Sequence, residues 1–224
     1  MKYFDEEYLN FLTELGFNNS KDWFDENRKR YEKQVREPFK NFIGNLIFRV
    51  QEIDPEILIE PKKAIFRINR DIRFSKDKTP YKTHMGAVLG RSKRKEVDFA
   101  SFYLQLSPQQ SFMGGGAYFL ETANLQNLRR HIASSVEEFT GITSSKKFQK
   151  LYPEILGERN KRVPPEFKKV LETLPTIANK RFHVSAPLTP QDILSEKLMD
   201  KVIEGYKTVL PLLQYLRKGL NPAL

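Results

Sequence analysis

The sequence contains no cysteine, which excludes disulfides, thiolate zinc sites, iron–sulfur clusters and a cysteine nucleophile together. Histidine is nearly as scarce: there are three, His84, His131 and His183. No two of them have metal-ligand spacing and no HExxH signature exists, so neither a metal nor a cofactor is expected. No apolar stretch approaches the roughly 18 residues that a membrane span needs. The opening Met1-Lys2-Tyr3-Phe4-Asp5-Glu6-Glu7 does not read as a signal peptide. A soluble, cytoplasmic protein without membrane contact is therefore expected. Glycine is also sparse, 11 in 224 residues. None stands upstream of Lys82-Thr83 as a phosphate-binding P-loop requires, and a Walker-type nucleotidase is rejected.

What the chain has in excess is positive charge, and it is concentrated. The net charge is +10. Between Lys62 and Lys95 stand twelve bases (Lys62, Lys63, Arg67, Arg70, Arg73, Lys76, Lys78, Lys82, Arg91, Lys93, Arg94 and Lys95) against only Asp71 and Asp77. Segment 62–95 thus carries the whole excess, while the other 190 residues hold 26 groups of each sign. Like charges held together repel, so a solvated surface ordinarily mixes the signs. A run of surface lysines is one explanation; a site for an anion is the better one.

The residue pattern predicts one α+β domain over 1–224, with an antiparallel sheet from the middle of the chain packed by N-terminal and C-terminal helices. Tyr8, Leu9, Phe11, Leu12 and Leu15 predict a helix ending near Gly16. Asn19 or Ser20 can cap the next one, whose apolar stripe runs from Trp23 to Val50 and is broken or kinked by Pro38. Ala64–Ile68 and Gly86–Gly90 are β-prone. Residues 97–106 alternate, with Ala100, Phe102, Leu104 and Leu106 on one face and Phe99, Ser101, Tyr103 and Gln105 on the other. Pro108-Gln109-Gln110-Ser111 reads as a hairpin turn into a strand over 111–120. Thr122 can cap a helix carrying Leu125, Leu128, Ile132, Val136 and Phe139. Pro164-Pro165 can open another, and Arg181–Ala186 alternates again. Thr189-Pro190, with Asp192 following, is the clearest helix start; the helix is predicted to continue through Leu194, Leu198, Val202, Tyr206, Val209, Leu213 and Leu216 with a kink at Pro211.

Chemistry-bearing residues crowd the charged segment. Arg67, Arg70 and Arg73 recur every third residue, and guanidinium forks suit phosphate and carboxylate. On a helical turn they would share a face; on a strand Arg70 would oppose the other two. Ser75, Lys76, Asp77, Lys78 and Thr79 form a polar loop able to offer N–H and hydroxyl groups to an oxyanion. Tyr81 and Lys82 extend the candidate anion-binding set. His84, neutral among cations, and Asp71 are the candidate proton-transfer groups. Asp71 can equally orient an arginine from beside it. Gly114-Gly115-Gly116 permits positive φ, close approach of another backbone, or access to a ligand. Arg129 can reach toward the sheet or form a surface ion pair.

The run from Phe66 to Thr83, with His84 and Gly86 after it, resembles the signature of the domain of unknown function 2461 family. The resemblance extends to Phe11-Leu12, Asn18–Phe24, Gly114-Gly115-Gly116 followed by Leu125 and Arg129, and Lys161-Arg162 with Pro164-Pro165. It covers nearly the full chain. It implies an uncharacterised, mainly bacterial family and brings no activity, cofactor or catalytic set. Glu166-Phe167-Lys168-Lys169 departs from the glycine-containing polar stretch usual after the prolines.

Two functions follow as expectations. The first is an anion-binding domain for nucleic acid or a phosphorylated ligand, with aromatics beside cations suited to bases along a phosphate backbone. The alternative is an enzyme on a phosphorylated or carboxylated small molecule, with arginine clamps and His84 or Asp71 moving a proton.

Overall fold

In the computed structural model of this chain, residues 1–221 are described. Asp5 caps the first helix, α1 (Glu6–Phe17), by accepting from the Tyr8 N–H at 3.2 Å. Ser20 caps α2 (Lys21–Glu26) through the Trp23 N–H. The chain then runs through α3 (Arg28–Tyr31), a π turn over Glu32–Arg36, and α4 (Glu37–Gln51). The expected interruption at Pro38 takes the form of this π turn. The Glu37 N–H bonds the carbonyl of Glu32, five residues back. The widened turn lets a proline without an N–H enter while the helix continues.

The segment α5 (Pro61–Ala64) leads into extended chain. Ala64–Ile68 does not form a full strand; it contributes a single bridge, Ile65 to Ala87, beside β1 (Met85–Leu89). The sheet continues with β2 (Ser101–Leu106), β3 (Ser111–Ala117) and, after a long helical excursion, β4 (Phe182–Leu188). The order is β1-β2-β3-β4 and every pairing is antiparallel. The chain is thus α+β as its pattern predicts, with β3 shorter than expected.

The excursion comprises α6 (Thr122–Ser134), α7 (Val136–Thr143), α8 (Lys146–Leu151), a short 3₁₀ turn at Pro165–Phe167, α9 (Lys168–Thr173) and a 3₁₀ turn at Pro175–Ala178. Thr122 is the first helical residue of α6 and not its cap, a position Glu121 holds without a side-chain bond. The predicted single stripe from Leu125 to Phe139 is also divided. Ser135 leaves helical geometry (φ −142°), and its hydroxyl bonds the His131 carbonyl and the Tyr215 hydroxyl, both at 2.8 Å.

Thr189 and Asp192 form the expected capping box, but on a four-residue helix, α10 (Pro190–Ile193). The long α11 (Leu198–Leu220) starts afresh and runs through Pro211. It packs on β3, α6 and α4. Alternate strand residues face it: Ala87, Leu104, Met113 and Ala186 lie in one register row, and Leu89, Phe102, Gly115 and Val184 in another. All are buried, and they join the aromatic cluster of Phe4, Tyr8, Phe11, Phe39 and Phe42 in one continuous core. A buried ion pair sits within it. Arg217 donates to both oxygens of Asp54 (3.0 and 2.8 Å), to Glu56 (3.1 Å) and to the Ala100 carbonyl (3.0 Å), while the Tyr206 hydroxyl donates to Asp54 at 2.5 Å. This ties α11 to the chain just beyond α4.

Candidate functional site on the open face of the sheet

The face of the sheet turned away from α11 carries a different set of residues. Its register rows read Val88, Tyr103, Gly114, Ser185; then Gly86, Gln105, Phe112, Pro187; then Ser101, Gly116, His183. Two glycines thus occupy the centre of the face, flanked by larger residues on β2 and β4. The result is a groove of about 650 Å³, with Phe66, Arg94, Tyr118 and Phe119 completing its walls. That is within the range of small-molecule sites, roughly 300–1,000 Å³.

Strand pairing demands these glycines for its own sake. A Cβ on Gly114 would lie 1.9 Å from the Val184 carbonyl oxygen, and one on Gly116 would lie 2.0 Å from that of Phe182. Gly116 also has φ +149°, open to glycine and strained for other residues. The close approach of β4 explains Gly114 and Gly116, and a side-chain-free floor is its by-product.

Around that floor the walls are aromatic. Tyr103 leans across β1 so that its ring lies over Gly86, and its hydroxyl donates to Gln105 at 3.0 Å. Its ring stands 5.5 Å from Phe112 and 6.2 Å from Phe66. Burial, with Tyr118 adding to it, pushes the Tyr103 phenol up to about 12, so it stays a hydrogen-bond donor at neutral pH. On the opposite wall His183 packs edge-on to Tyr118 at 5.2 Å, and Arg181 stacks 4.3 Å from the Tyr118 ring. Burial and Arg181 lower the His183 imidazole below its usual range, and its Nδ1 is buried without a partner.

Cations gather at the Phe66 end. Lys82 and Arg94 lie 5.5 and 5.4 Å from its ring, with Lys82 donating to the Arg67 carbonyl (2.7 Å) and Arg94 to that of Ile65 (2.5 Å). Neither these two nor Arg67 pairs with a carboxylate among the described residues. Burial, then Arg67 and Arg94, lower the Lys82 ammonium below the ordinary lysine range, as mutual repulsion of unneutralised cations requires.

The other predicted residues are distributed as follows. Arg70 turns inward on its own loop to Asp77, Thr79 and Ser75. Arg73 forms a bidentate pair with Asp71 at 2.9 and 2.7 Å, which holds that carboxyl at about 2. Asp77 lies at about 2 as well, through the Thr79 N–H first and Arg70 second. Lys78 donates to the Ile72 carbonyl at 2.9 Å, and Lys76 is exposed. Tyr81 is buried, stacked on Phe24 at 4.0 Å. His84 is half-buried beside Lys82, and burial first, Lys82 second, push its imidazole down to about 4. Arg67, Arg70 and Arg73 are therefore not one clamp. Of the charged segment, Phe66, Val88 and Arg94 line the groove. Acids just outside the segment also soften its excess: Glu60 pairs with Lys63, and Asp98 with Arg91.

Arg129 takes neither of its expected roles. It is wholly buried and donates to the carbonyls of Ile177, Ala178 and Asn179 at 2.9, 3.2 and 3.1 Å, closing the end of the last 3₁₀ turn. A second, larger hollow of about 1030 Å³ lies beside α11, but its Arg91, Arg130 and Arg217 all have carboxylate partners. Among the described residues no three His, Asp or Glu side chains gather closely enough to hold a metal ion, and no helix is long and apolar enough to cross a membrane.

Compared with known families, residues 7–215 match the one described as conserved hypothetical protein (DUF2461). The chain belongs to that family. The match spans α1 to near the end of α11, so the DUF2461 unit includes the sheet, its groove and the helix behind it. A search of the curated proteins finds no match.

Sequence reasoning missed Tyr103, Phe112, Tyr118 and His183 as a group. The available signal was a large aromatic on the polar face of an alternating strand, which Tyr103 already displays between Ser101 and Gln105.

Proposed function

We propose that this DUF2461 protein binds a phosphate-bearing ligand that also carries a planar ring, such as a nucleotide unit. The ring lies on the glycine floor between Tyr103 and His183, and the phosphate meets Arg94 and Lys82 at the Phe66 end. The observation that carries this reading is the juxtaposition itself: a bare peptide floor, aromatic walls and Arg94 without a carboxylate partner in one groove, with Lys82 against the Phe66 ring at its end. Aromatic rings and peptide planes attract a flat π system, and a guanidinium without a carboxylate partner favours a bidentate oxyanion. A cytoplasmic setting belongs to the same proposal. The enzyme alternative would need His84 or Asp71 at the floor of a pocket. Asp71 is exposed beside Arg73 and His84 stands outside the groove lining, so binding is the favoured reading.

Titration of the protein with uridine monophosphate, followed by amide NMR shifts, tests this. Shifts are expected to cluster at Tyr103, Gly114, Gly116 and His183. Arg94→Ala should weaken binding about tenfold or more, the weight of one charge-assisted hydrogen bond. Lys93→Ala, exposed on the same loop, should change it less than about twofold. Equal losses at both positions would mean diffuse attraction and no site. Absence of binding at millimolar ligand would overturn the reading.

A further inference from the structure

The loop carrying Arg70 to Pro80 is built as a finger. At its base Asn69 bridges Tyr81, and the N–H groups of Arg70 and Lys82 bond the carbonyls of Pro80 and Ile68, each at 2.8 Å. Asn19 holds Tyr81 by both its N–H and its carbonyl, each at 3.0 Å, and the Phe24 ring stacks on it. Arg70 clasps the two sides together through Asp77 and Thr79, and Lys78 ties back to Ile72. Both acids of the finger are thus used internally. The tip they support presents Phe74, 96% exposed, with the Arg73 guanidinium 5.9 Å from its ring and the exposed Lys76 two residues on.

A fully exposed phenyl on a braced loop has no role in folding, because it covers nothing. Arg73 and Lys76 flank it in the chain, and residues 70–80 hold four bases against two acids, both acids engaged within the finger, which points to an anionic partner. The base of the finger joins the groove directly: Ile68 and Lys82 are its first flanking residues, Lys82 donates to Arg67, and Lys82 stacks with Arg94 on Phe66. Cations and aromatics thus follow one another along the chain from Phe66 and Arg67 at the groove end to Arg73, Phe74 and Lys76 at the tip, with Lys82 bonded to Arg67 at the base. A mononucleotide occupies only the first part of this track. An anionic membrane would also meet the charge, but one phenyl is a single weak anchor and stable attachment takes more. A single strand meets both needs, since each base offers a face to an aromatic and each linkage a phosphate to a cation.

We infer that the ligand is single-stranded nucleic acid, with one nucleotide in the groove and the strand continuing along the base of the finger so that Phe74 stacks on a further base. This inference rests on the groove reading above and extends it.

The test is fluorescence anisotropy with the whole chain, using labelled oligouridylates of two, six and twelve nucleotides, with uridine monophosphate measured by competition. Affinity is expected to rise from the dinucleotide to the longer strands. Phe74→Ala should weaken the dodecamer by roughly five- to a hundred-fold, the span of one base–aromatic stack, while leaving monophosphate binding unchanged. Lys76→Ala should reduce the slope of log affinity against log salt by about 0.7. If the longer strands bind no tighter than the monophosphate, or Phe74→Ala changes nothing, this inference fails and the groove reading stands. If strands bind through Phe74 but the monophosphate does not compete, the groove placement fails, and the inference with it. Tip-dependent binding to phosphatidylglycerol vesicles without binding to oligonucleotides would also overturn it.

Discussion

Alanine substitution along Gly114-Gly115-Gly116 separates a structural glycine run from one kept for a ligand. At Gly114 the new methyl would meet the Val184 carbonyl oxygen at 1.9 Å, its carbon at 2.9 Å and the Ser185 Cα at 3.0 Å. All three are backbone atoms that no rotamer change can move. Relief requires β4 to back away by more than an ångström, giving up about two ladder hydrogen bonds of roughly 1 kcal/mol each, with about 1–3 kcal/mol of residual strain. The sum is about 3–5 kcal/mol. Gly116 has the same clash with Phe182 and adds a φ of +149°, so its cost should be at least as large. Gly115 faces the other way, where a methyl meets the Leu213 side chain and the Ser101 carbonyl, each at 3.1 Å. The leucine tip can yield, and the loss of unfolded-chain freedom returns about 0.4–1 kcal/mol. Gly115→Ala should therefore lie within about 1 kcal/mol of the parent. Urea unfolding followed by far-ultraviolet circular dichroism measures all three. Gly114→Ala and Gly116→Ala proteins as stable as Gly115→Ala would refute the strand-approach account.

Two further predictions concern charge. Asp54→Asn leaves the buried Arg217 guanidinium with Glu56 as its only carboxylate, and should cost about 3 kcal/mol, or roughly 6–12 °C in Tm for a chain of this size; Tyr206→Phe, which removes one hydroxyl from the same carboxylate, should cost less, and the reverse order by calorimetry would contradict the network. The His84 imidazole sits at about 4 against an ordinary 6.5, so between those values the unfolded chain binds a proton that the folded chain does not. Stability should fall as pH drops from about 6.5 to about 4, and His84→Gln should remove part of that loss, as urea midpoints at pH 7 and pH 4.5 will report.

The local features of the fold were legible in the residues. The alternation at 100–106 and 181–186 gave β2 and β4 their buried faces, and Thr189 with Asp192 marked a real capping box. Features decided by distant partners were not. The break at Ser135 is fixed by Tyr215, 80 residues on, and Arg129 finds its carbonyls 48 to 50 residues away. The same holds for the site. A charge count over 62–95 cannot know that Arg70 and Arg73 fold back on Asp77 and Asp71. The groove exists only once Tyr103, Gly114 and Ser185 fall in one register row, and nothing in any one strand announces that row.

The position of Asp54 also bears on how the chain is made. Its two inner partners, Tyr206 and Arg217, follow it by 152 and 163 residues, and the helix that bears them covers the inner face of the sheet. At about 5–20 residues per second, roughly eight to thirty seconds pass between synthesis of the carboxylate and arrival of its guanidinium. For the later part of that interval, once β2 and β3 have been made, Phe102, Leu104 and Met113 lack their covering helix on the nascent chain. The helix that closes the core over the sheet is therefore made well after the strands it covers, and chaperone demand should peak just before α11 leaves the ribosome.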